Sequence, residues 1–384
     1  MKVKLSFLSI LLAAACGGSQ GPAHADFVSS APTYSKLAIS QNDSDTAAPS
    51  MAPSDSGSQA LTAAGSDCHP HLFERTGEII GHVNRHFFKL IAHVEDLIRE
   101  NPKLSTGTSE TWENVKDGID RKLTISATVS GGSVTYTFEL DLAAVPASGS
   151  PSFVKVMSGT LTHTGPASSD VGTSAASAEV EDKGEVIFDY SALATVVTTE
   201  KSTGQITDSF DNVHDPAKGV KRSATLTLTN FHFDDDAHGP RNGSYSWERE
   251  PSIGGKFQFT DSLVLLCPAN PNNLDADLTA VSRWYKATDG SVRGRTDAKA
   301  TGGQIASGDT WIGVTCAQGA TTAAPAEGFW LMKLEGSAGA TIVGAADTIG
   351  AAPCDTTAFG PVPNLNDSST DYSFSAAVTF PGEW

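Results

Sequence analysis

The sequence lacks the features that several large protein classes require. Its apolar run at residues 5–15 is eleven residues long, well short of the about 20 residues that a helix needs to cross a bilayer. The five cysteines form no C-x-x-C pair, which excludes a thioredoxin-like redox motif and covalent haem attachment. The chain also has neither a P-loop nor a dinucleotide-binding fingerprint. These absences argue against helical membrane proteins, thiol redox proteins and nucleotide-binding enzymes.

Basic residues are few compared with acidic ones. The chain has 26 lysine and arginine residues against 44 aspartate and glutamate residues, a formal net charge of −18. Without Lys2 and Lys4, 24 basic side chains face 44 acidic ones, and the charge is −20. Such an excess of negative charge argues against nucleic acid as a partner and against electrostatic binding to anionic lipids.

The first residues have the pattern of an export signal. Lys2 and Lys4 precede the apolar run, and small residues lead up to Cys16, as in secretory signal peptides. The sequence Ala13-Ala14-Ala15-Cys16 resembles the lipobox of bacterial lipoproteins, although Ala13 stands where the strongest form of that motif has leucine. The resemblance covers only this leader. It implies that residues 1–15 are a signal peptide and that Cys16 becomes the lipidated N-terminus, and Gly17 resembles the outer-membrane type of sorting signal.

Residues 16–67 are predicted to be the lipidated cysteine followed by a disordered tether. Serine, alanine, glycine, proline and aspartate dominate this stretch, and large apolar residues are rare. Such a composition buries too little surface to offset the entropy of ordering. A flexible chain of about 50 residues has a root-mean-square reach near 40 Å, so the expected arrangement holds a folded module away from a membrane.

One long amphipathic helix is predicted from residue 68 to residue 101. Its apolar residues recur at alternating steps of three and four and form one continuous face; they are Ile80, Val83, Phe87, Leu90, Ile91, Val94, Leu97 and Ile98. Pro70 suits the first turn, and Pro102 follows the last residue. This face requires a partner surface within the fold.

Most of the remaining chain alternates with the period of a β-strand. Residues 123–129 and 134–142 alternate on either side of Gly131-Gly132, which predicts a hairpin. Residues 112–120 are interpreted as a polar connection before this hairpin. About a dozen strands with Gly, Asn, Asp and Pro turns predict a mainly β fold: an antiparallel multi-stranded sandwich or open barrel, with the long N-terminal helix packed on it. The β-rich domain is assigned to residues 68–384, with a candidate subdivision at residues 268–273.

Four cysteines remain if Cys16 is acylated. Cys68, Cys267, Cys316 and Cys354 are an even number in an exported chain, which predicts two disulfides with three alternative connectivities.

Histidines are concentrated on the predicted helix. His82, His86 and His93 lie near one another at the border of the apolar face, and a spacing of four residues between two histidines suits metal binding. The alternatives are a zinc, copper or haem site and a set of half-buried histidines hydrogen-bonded to strand carbonyls.

The sequence favours a non-enzymatic envelope lipoprotein, a β-rich binding or structural module tethered to the membrane through its N-terminal lipid. No catalytic residues are identified and no cofactor is assigned. The partner would be an envelope protein, a glycan or an apolar ligand. Two alternatives stay open, namely a carrier of lipid or another apolar ligand in a cavity between sheet and helix, and a metal- or haem-binding protein. The expected location is the cell envelope, on the outer membrane.

Overall fold

The described residues form one antiparallel sheet of 15 strands that follow one another in chain order. The structure is a computed structural model and describes residues 22–39, 72–165, 180–215, 219–234, 239–250, 254–265, 274–286, 292–319, 326–336 and 341–346. The prediction of a mainly β, antiparallel protein is confirmed.

The strands and helices of these residues have the following bounds. The strands are β1 (Leu104–Ser105), β2 (Ser109–Lys116), β3 (Ile119–Ser130), β4 (Ser133–Ala144), β5 (Val154–Thr164), β6 (Val180–Asp189), β7 (Thr203–Asp215), β8 (Gly219–His232), β9 (Arg241–Glu250), β10 (Gly254–Leu265), β11 (Leu274–Lys286), β12 (Val292–Thr301), β13 (Thr310–Gly319), β14 (Ala326–Glu335) and β15 (Thr341–Ala346). The helices are α1 (His24–Ser30), α2 (Tyr34–Leu37), α3 (Leu72–Leu97) and α4 (Tyr190–Val196).

The predicted hairpin is present as β3 and β4. Ser130 pairs with Ser133 across the two-residue turn Gly131-Gly132, and both glycines have positive φ, +58° and +88°. Two central residues with positive φ are typical of the type I′ turn, whose twist matches that of paired strands. The chain reverses here because glycine adopts this conformation without steric cost.

Residues 112–120 are not the polar connection that the sequence suggested. Residues 109–116 form β2, and the chain turns at Asp117 and Gly118, both with positive φ. Trp112 and Glu110 of β2 are buried. Glu110 is a polar residue at an inward position of β2, so the sequence of this strand does not alternate between apolar and polar residues. This explains why the strand was not predicted.

The sheet curves around α3. This helix contacts β2 and β3 near one end of the sheet and β11, β12, β13 and β14 near the other. In the middle of the sheet, the Phe87 ring stacks on Phe188 of β6 with ring centroids 4.8 Å apart. Fifteen strands laid flat at about 4.8 Å spacing would span about 67 Å, whereas the 26 residues of α3 form a helix about 39 Å long and about 10–12 Å across. One helix can therefore reach both ends only if the sheet curls around it.

The first turn of α3 is fixed to β12 and β13. The backbone N–H of Phe73 donates a hydrogen bond to Thr315 Oγ1 at 3.1 Å, which satisfies one of the amide groups that a helix start leaves without a partner. The Phe73 ring lies 2.1 Å from where a Cβ on Gly294 would be. A side chain at position 294 would therefore displace the ring.

The single long N-terminal helix that was predicted from residue 68 to residue 101 is not supported. Before the first strand, the described helical residues are divided among α1, α2 and α3, and residues 68–71 lie outside the described residues. The apolar face of α3 is buried in the main core; its members include Val83, Phe87, Leu90, Ile91, Val94 and Leu97.

The prediction of a disordered tether at residues 16–67 is wrong for residues 22–39. These residues form α1 and α2 and belong to the main core, where Phe27 is 1% exposed and Ile39 is 0% exposed. The prediction was made from the average composition of the whole stretch, which is poor in large apolar residues. The few apolar residues at 22–39 are nevertheless buried, because they contact strands that are distant in sequence. Residues 16–21 and 40–71 lie outside the described residues.

The strands belong to one hydrogen-bonded sheet, not to the two separate sheets of a sandwich. In the part of the chain that the structure describes, β1 pairs with β2 and β15 pairs with β14, and no pairing joins β1 to β15. The candidate boundary at residues 268–273 lies outside the described residues. The flanking strands β10 and β11 pair from Gly254 with Tyr285 to Leu265 with Leu274, so the sheet continues across this position.

Candidate functional site

Residues 22–39, named the N-terminal strap here, cross the inner face of the curved sheet. The strap contains α1 and α2, and its apolar side chains Phe27, Tyr34, Leu37 and Ile39 are buried. Polar contacts fix it to β2, to α3 and to the strands β7 and β8. These contacts define the candidate functional site because the strap is the described segment nearest in sequence to Cys16.

The first contact joins α1 to β2. His24 Nδ1 lies 2.6 Å from Glu110 Oε2, and the Glu110 side chain is only 3% exposed. The hydroxyl of Ser105 donates to the other oxygen of Glu110 at 3.3 Å. Further along α1, the Phe27 ring packs edge-on against Tyr136. Burial, with a smaller contribution from the charge of Asp26, raises the pKa of the Tyr136 hydroxyl to about 12.

The second set of contacts joins the strap to α3. The amide group of Asn84 accepts a hydrogen bond from the Ile39 N–H at 3.0 Å and donates one to the Ile39 carbonyl at 2.6 Å. Two residues before the end of α3, Glu95 Oε1 accepts a hydrogen bond from the Tyr34 N–H at 2.9 Å. The backbone of the strap is therefore held at the start of α2 and just after its end.

The third set joins the strap to the inner face of β7 and β8. Arg222 Nη2 donates to the Lys36 carbonyl at 2.6 Å, and the same carbonyl accepts from Asn212 Nδ2 at 3.3 Å. Arg222 Nε also donates to Asn212 Oδ1 at 3.2 Å, and the guanidinium carbon lies 5.3 Å from the centre of the Trp247 ring. A cation near the last carbonyls of a helix is favourable. Burial first, and then the positive charge of Arg249, lowers the pKa of Arg222 to about 10.

Asp208 is a buried acid on the same inner face. Its residue is 0% exposed, and neither carboxyl oxygen has a hydrogen-bond partner among the described residues. In the sheet register it lies between Val186 of β6 and Leu226 of β8. Burial raises the pKa of Asp208 to about 8, and the charge of Arg222 opposes that rise. The group is therefore mostly a neutral acid at pH 7.

His86 lies in a buried aromatic cluster and not at the border of the apolar face of α3. Its ring is buried and packs edge-on against Tyr190, Phe231 and Phe233, with centroids 5.7, 5.7 and 5.1 Å away. Nδ1 lies 2.9 Å from the His82 carbonyl, and Nε2 lies 3.3 Å from the Ser202 hydroxyl. Burial lowers the pKa of His86 to about 4, so the ring is neutral at pH 7.

Of the other two predicted metal ligands, His82 lies beside Phe233 as His86 does, whereas His93 has different surroundings. The His82 ring is edge-on to Phe233 at 6.2 Å. His93 Nδ1 is 3.5 Å from Arg121 Nη1, and burial followed by the Arg121 charge lowers the pKa of His93 to about 4. Within the described ranges, no group of three or more histidine, cysteine, aspartate or glutamate side chains is arranged to hold a metal ion. Metal binding by His82, His86 and His93 stays a prediction.

The contact between Ser202 and His86 resembles the nucleophile–base pair of hydrolases in distance only. Both residues are buried, and an attacking serine must reach its substrate. The surrounding groups hold α3 to the sheet: Lys89 Nζ lies 3.1 Å from a Glu200 oxygen and 3.0 Å from an Asp234 oxygen. These ion pairs connect α3 to the residues just before β7 and just after β8.

The cysteine predictions fall mostly outside the described residues. This holds for Cys16, Cys68, Cys267 and Cys354, while Cys316 lies in β13. Lipidation of Cys16 and pairing among the other four stay predictions.

Sequence reasoning missed Asp208 and Arg222, although the alternation contained a signal. Asp208 lies on the same face of β7 as the buried residues Ile206 and Phe210, and Arg222 lies on the same face of β8 as Leu226. A charged residue on the apolar side of an alternating strand marks a buried charge. The contacts of the strap had no such signal.

Comparison of the chain with protein-family models, curated proteins and solved structures finds no match. A search of the helices in the described residues finds none that is long and apolar enough to cross a membrane.

Proposed function

We propose that the protein is a non-enzymatic, lipid-anchored module of the cell envelope, in which an open, curved sheet packed around α3 binds or supports a partner at its outer surface. The observation that carries this proposal is that α3 and the strap occupy the inner side of the sheet in the described part of the chain. The apolar face of α3 and the strap both lie in one core with the inward residues of the strands. A carrier of lipid would need this space for its cargo, so its occupation by α3 and the strap favours a module that acts through its surface.

The outward side of the strands supports surface recognition. Pairs of hydroxyl side chains face each other across neighbouring strands at 3.0–3.3 Å; they are Thr111 with Thr124, Ser133 with Thr164, Thr135 with Thr162, and Thr260 with Thr279. Such neutral hydroxyl pairs stabilise a sheet and offer both donors and acceptors. This chemistry suits an envelope protein or a glycan as the partner.

Anchoring is tested by metabolic labelling. The full-length protein is produced in bacteria that are fed an alkyne-tagged fatty acid, alongside the variants Cys16→Ser and Cys68→Ser. The expected result is label on the wild-type and Cys68→Ser chains and none on Cys16→Ser. A wild-type chain without label, or a labelled Cys16→Ser chain, would contradict the proposal.

The choice between a surface-acting module and a carrier is tested on the purified wild-type protein. Native mass spectrometry should give the mass of the chain with its covalent acyl groups and no further bound lipid. One lipid molecule bound without a covalent link to each chain would favour the carrier instead.

A further inference from the structure

Serine and threonine occupy three successive rows of paired residues on the outward face of β2 to β5. In the first row, Ser109 pairs with Ser126, which pairs with Thr137, which in turn pairs with Thr160. The next two rows lie closer to the Gly131-Gly132 turn and extend over β3, β4 and β5. The three rows are named the hydroxyl face, and its members are Ser109, Ser126, Thr128, Ser130, Ser133, Thr135, Thr137, Thr160, Thr162 and Thr164.

The side chains of the hydroxyl face point to solvent because the other face of the same strands is the core. Ile125, Tyr136 and Leu161 alternate with members of the hydroxyl face and are buried. Thr137 and Thr160, by contrast, are exposed. Along each strand the rows are about 7 Å apart, and neighbouring strands are about 5 Å apart. The hydroxyl groups therefore form a regular array on the surface.

Charged residues border the hydroxyl face on two sides but do not enter it. Glu139 lies one row further along β4, and Glu181, Lys183 and Glu185 lie on the neighbouring strand β6. Two of these acids are ion-paired, since Lys155 Nζ is 2.5 Å from Glu139 and Lys183 Nζ is 3.1 Å from Glu181. The hydroxyl face is thus a neutral area on a chain whose formal net charge is −18.

The hydroxyl groups pair with one another and keep further hydrogen-bonding capacity. Ser126 Oγ donates to Ser109 Oγ at 3.0 Å, and Thr135 Oγ1 lies 3.1 Å from Thr162 Oγ1. A hydroxyl group has one donor hydrogen and two acceptor lone pairs, so a pair that shares one hydrogen bond still offers donors and acceptors to a ligand. Each threonine also presents a methyl group beside its hydroxyl. The face therefore combines hydrogen-bonding and small apolar groups, as a sugar ring does.

This chemistry discriminates among the classes of partner. Nucleic acids, anionic lipids and acidic polysaccharides bind to lysine and arginine, and the hydroxyl face contains neither. The centres of protein interfaces are enriched in aromatic residues, methionine and arginine and are depleted in serine, which is the reverse of this composition. A neutral polysaccharide needs no charge on the protein, since its hydroxyl groups exchange hydrogen bonds with the face and its C–H groups contact the threonine methyl groups.

We infer that the hydroxyl face binds a neutral polysaccharide. This inference rests on the proposed function, in which the outer surface of the sheet binds a partner, and it names the chemical class of that partner.

An array of immobilised polysaccharides tests the inference with the purified full-length protein. The neutral members are glucans, mannans, galactans, xylans and chitin, and the acidic members are polygalacturonate and alginate. The variant Thr137→Lys places a long charged side chain in the first row, where the neighbouring Glu139 makes a lysine tolerable. Thr137→Ser keeps the hydroxyl group. Thr199→Lys is the matched control, because Thr199 is exposed in the loop between α4 and β7.

The wild type should bind at least one neutral polysaccharide several-fold more strongly than either acidic one. Thr137→Lys should weaken this binding about tenfold, whereas Thr137→Ser and Thr199→Lys should bind as the wild type does. Equal thermal unfolding midpoints of the two lysine variants would show that the loss is not a loss of fold. Binding to none of the neutral polysaccharides, equal binding to acidic ones, or full binding by Thr137→Lys would overturn the inference.

A protein partner at this face is distinguished by photocrosslinking in cells. Benzoylphenylalanine at position 137 that forms an adduct with an envelope protein, in a chain that binds no neutral polysaccharide, would assign the hydroxyl face to a protein and leave the proposed function intact. Failure of the proposed function is detected separately, by the fatty-acid label on Cys16 and the native mass spectrum, neither of which involves the hydroxyl face.

Discussion

The side chain of Asn84 in α3 forms hydrogen bonds with both backbone polar groups of one residue, Ile39 at the end of the strap. Ile39 is itself fully buried, so these backbone groups have little access to water. The pair ties the segment nearest the proposed lipid anchor to the helix at the centre of the protein. A pull on the N-terminus is therefore transmitted to the core.

Replacement of Asn84 by alanine should release the strap. The change leaves the Ile39 N–H and carbonyl without their partner, and a buried polar group without a partner costs about 1–3 kcal/mol. We expect the free energy of unfolding to fall by about 2 kcal/mol and the amides of residues 34–39 to exchange faster. Arg85→Ala, at an exposed position on the same helix, is the matched control. Unchanged exchange in the strap would show that Asn84 does not hold it.

Replacement of Asp208 by asparagine should stabilise the protein, and more so at higher pH. The unfolded carboxyl loses its proton near pH 3.8, whereas the folded one does so near pH 8. Between these values the folded state binds more protons, so stability contributed by this group falls as pH rises from about 4 to about 8. Four pKa units correspond to at most about 5 kcal/mol.

Urea unfolding at pH 5, 7 and 8.5 measures the effect of Asp208→Asn. The difference in unfolding free energy between variant and wild type should grow across this series. Asp117→Asn, at an exposed turn with positive φ that suits asparagine, should change the pH dependence much less, because its charge is the smallest of the influences on the pKa of His93. A variant that is destabilised equally at all three pH values would mean that the carboxyl has a role in the fold beyond its proton.

Replacement of His86 by phenylalanine should reduce the sensitivity of the protein to acid. The pKa of His86 is lowered from 6.5 to about 4 in the folded state, so the unfolded state binds the proton first and stability is lost as pH falls through this interval. The ring still packs against Phe231 and Phe233, while the Ser202 hydroxyl loses a partner, at a cost of about 1 kcal/mol at pH 7.

The acid sensitivity is read from the midpoint of unfolding between pH 4 and pH 7. His86→Phe should lower the slope of stability against pH but not abolish it, because His93 has a pKa lowered in the same direction. His214→Gln, at an exposed position on β7, serves as the control. An unchanged slope in His86→Phe would rule out His86 as a main acid-sensitive group.

Substitution of Gly294 should disturb the docking of α3. A Cβ at this position would lie 2.1 Å from the Phe73 ring, and overpacking of a core costs about 1–3 kcal/mol. Gly294→Ala should therefore destabilise the protein, and the added change Phe73→Leu should recover part of the loss. Gly81→Ala, on an exposed side of α3 with no atom within 4 Å of the new Cβ, should instead stabilise it by about 0.5–1 kcal/mol. The opposite signs are checked by thermal unfolding.

The predictable part of the fold is the part that local pattern determines. The alternation on either side of Gly131-Gly132 predicted β3 and β4 correctly, because a two-residue glycine turn and a period of two specify a hairpin without help from the rest of the chain. The strap was missed because its burial depends on distant partners such as Asn84 and Arg222, which leave no trace in the composition of residues 22–39. Likewise, β2 was missed because its inward Glu110 is compensated by His24, 86 positions away.

The candidate site was less predictable than the fold. The histidines at positions 82, 86 and 93 lie on α3, which is shorter than the predicted helix. The rotation of α3 places His86 in an aromatic cluster and His93 next to Arg121, and this rotation depends on how the sheet packs around the helix. Asp208 and Arg222 were identifiable from the sequence as charged residues at strand positions that face the core. Their relation to the Lys36 carbonyl required the strap to be placed first.

The hydrogen bond from Phe73 to Thr315 spans 242 positions of the chain, and this separation governs how the protein can be made. At synthesis rates of about 5–20 residues per second, the partner of the helix is completed about 12–48 seconds after the helix itself. Until then the apolar face of α3 lacks the strands β12 and β13, which it contacts in the folded protein. Exposed apolar surface favours aggregation during this interval, so we expect the yield of folded protein to depend on chaperones that bind the N-terminal half until the last strands are made.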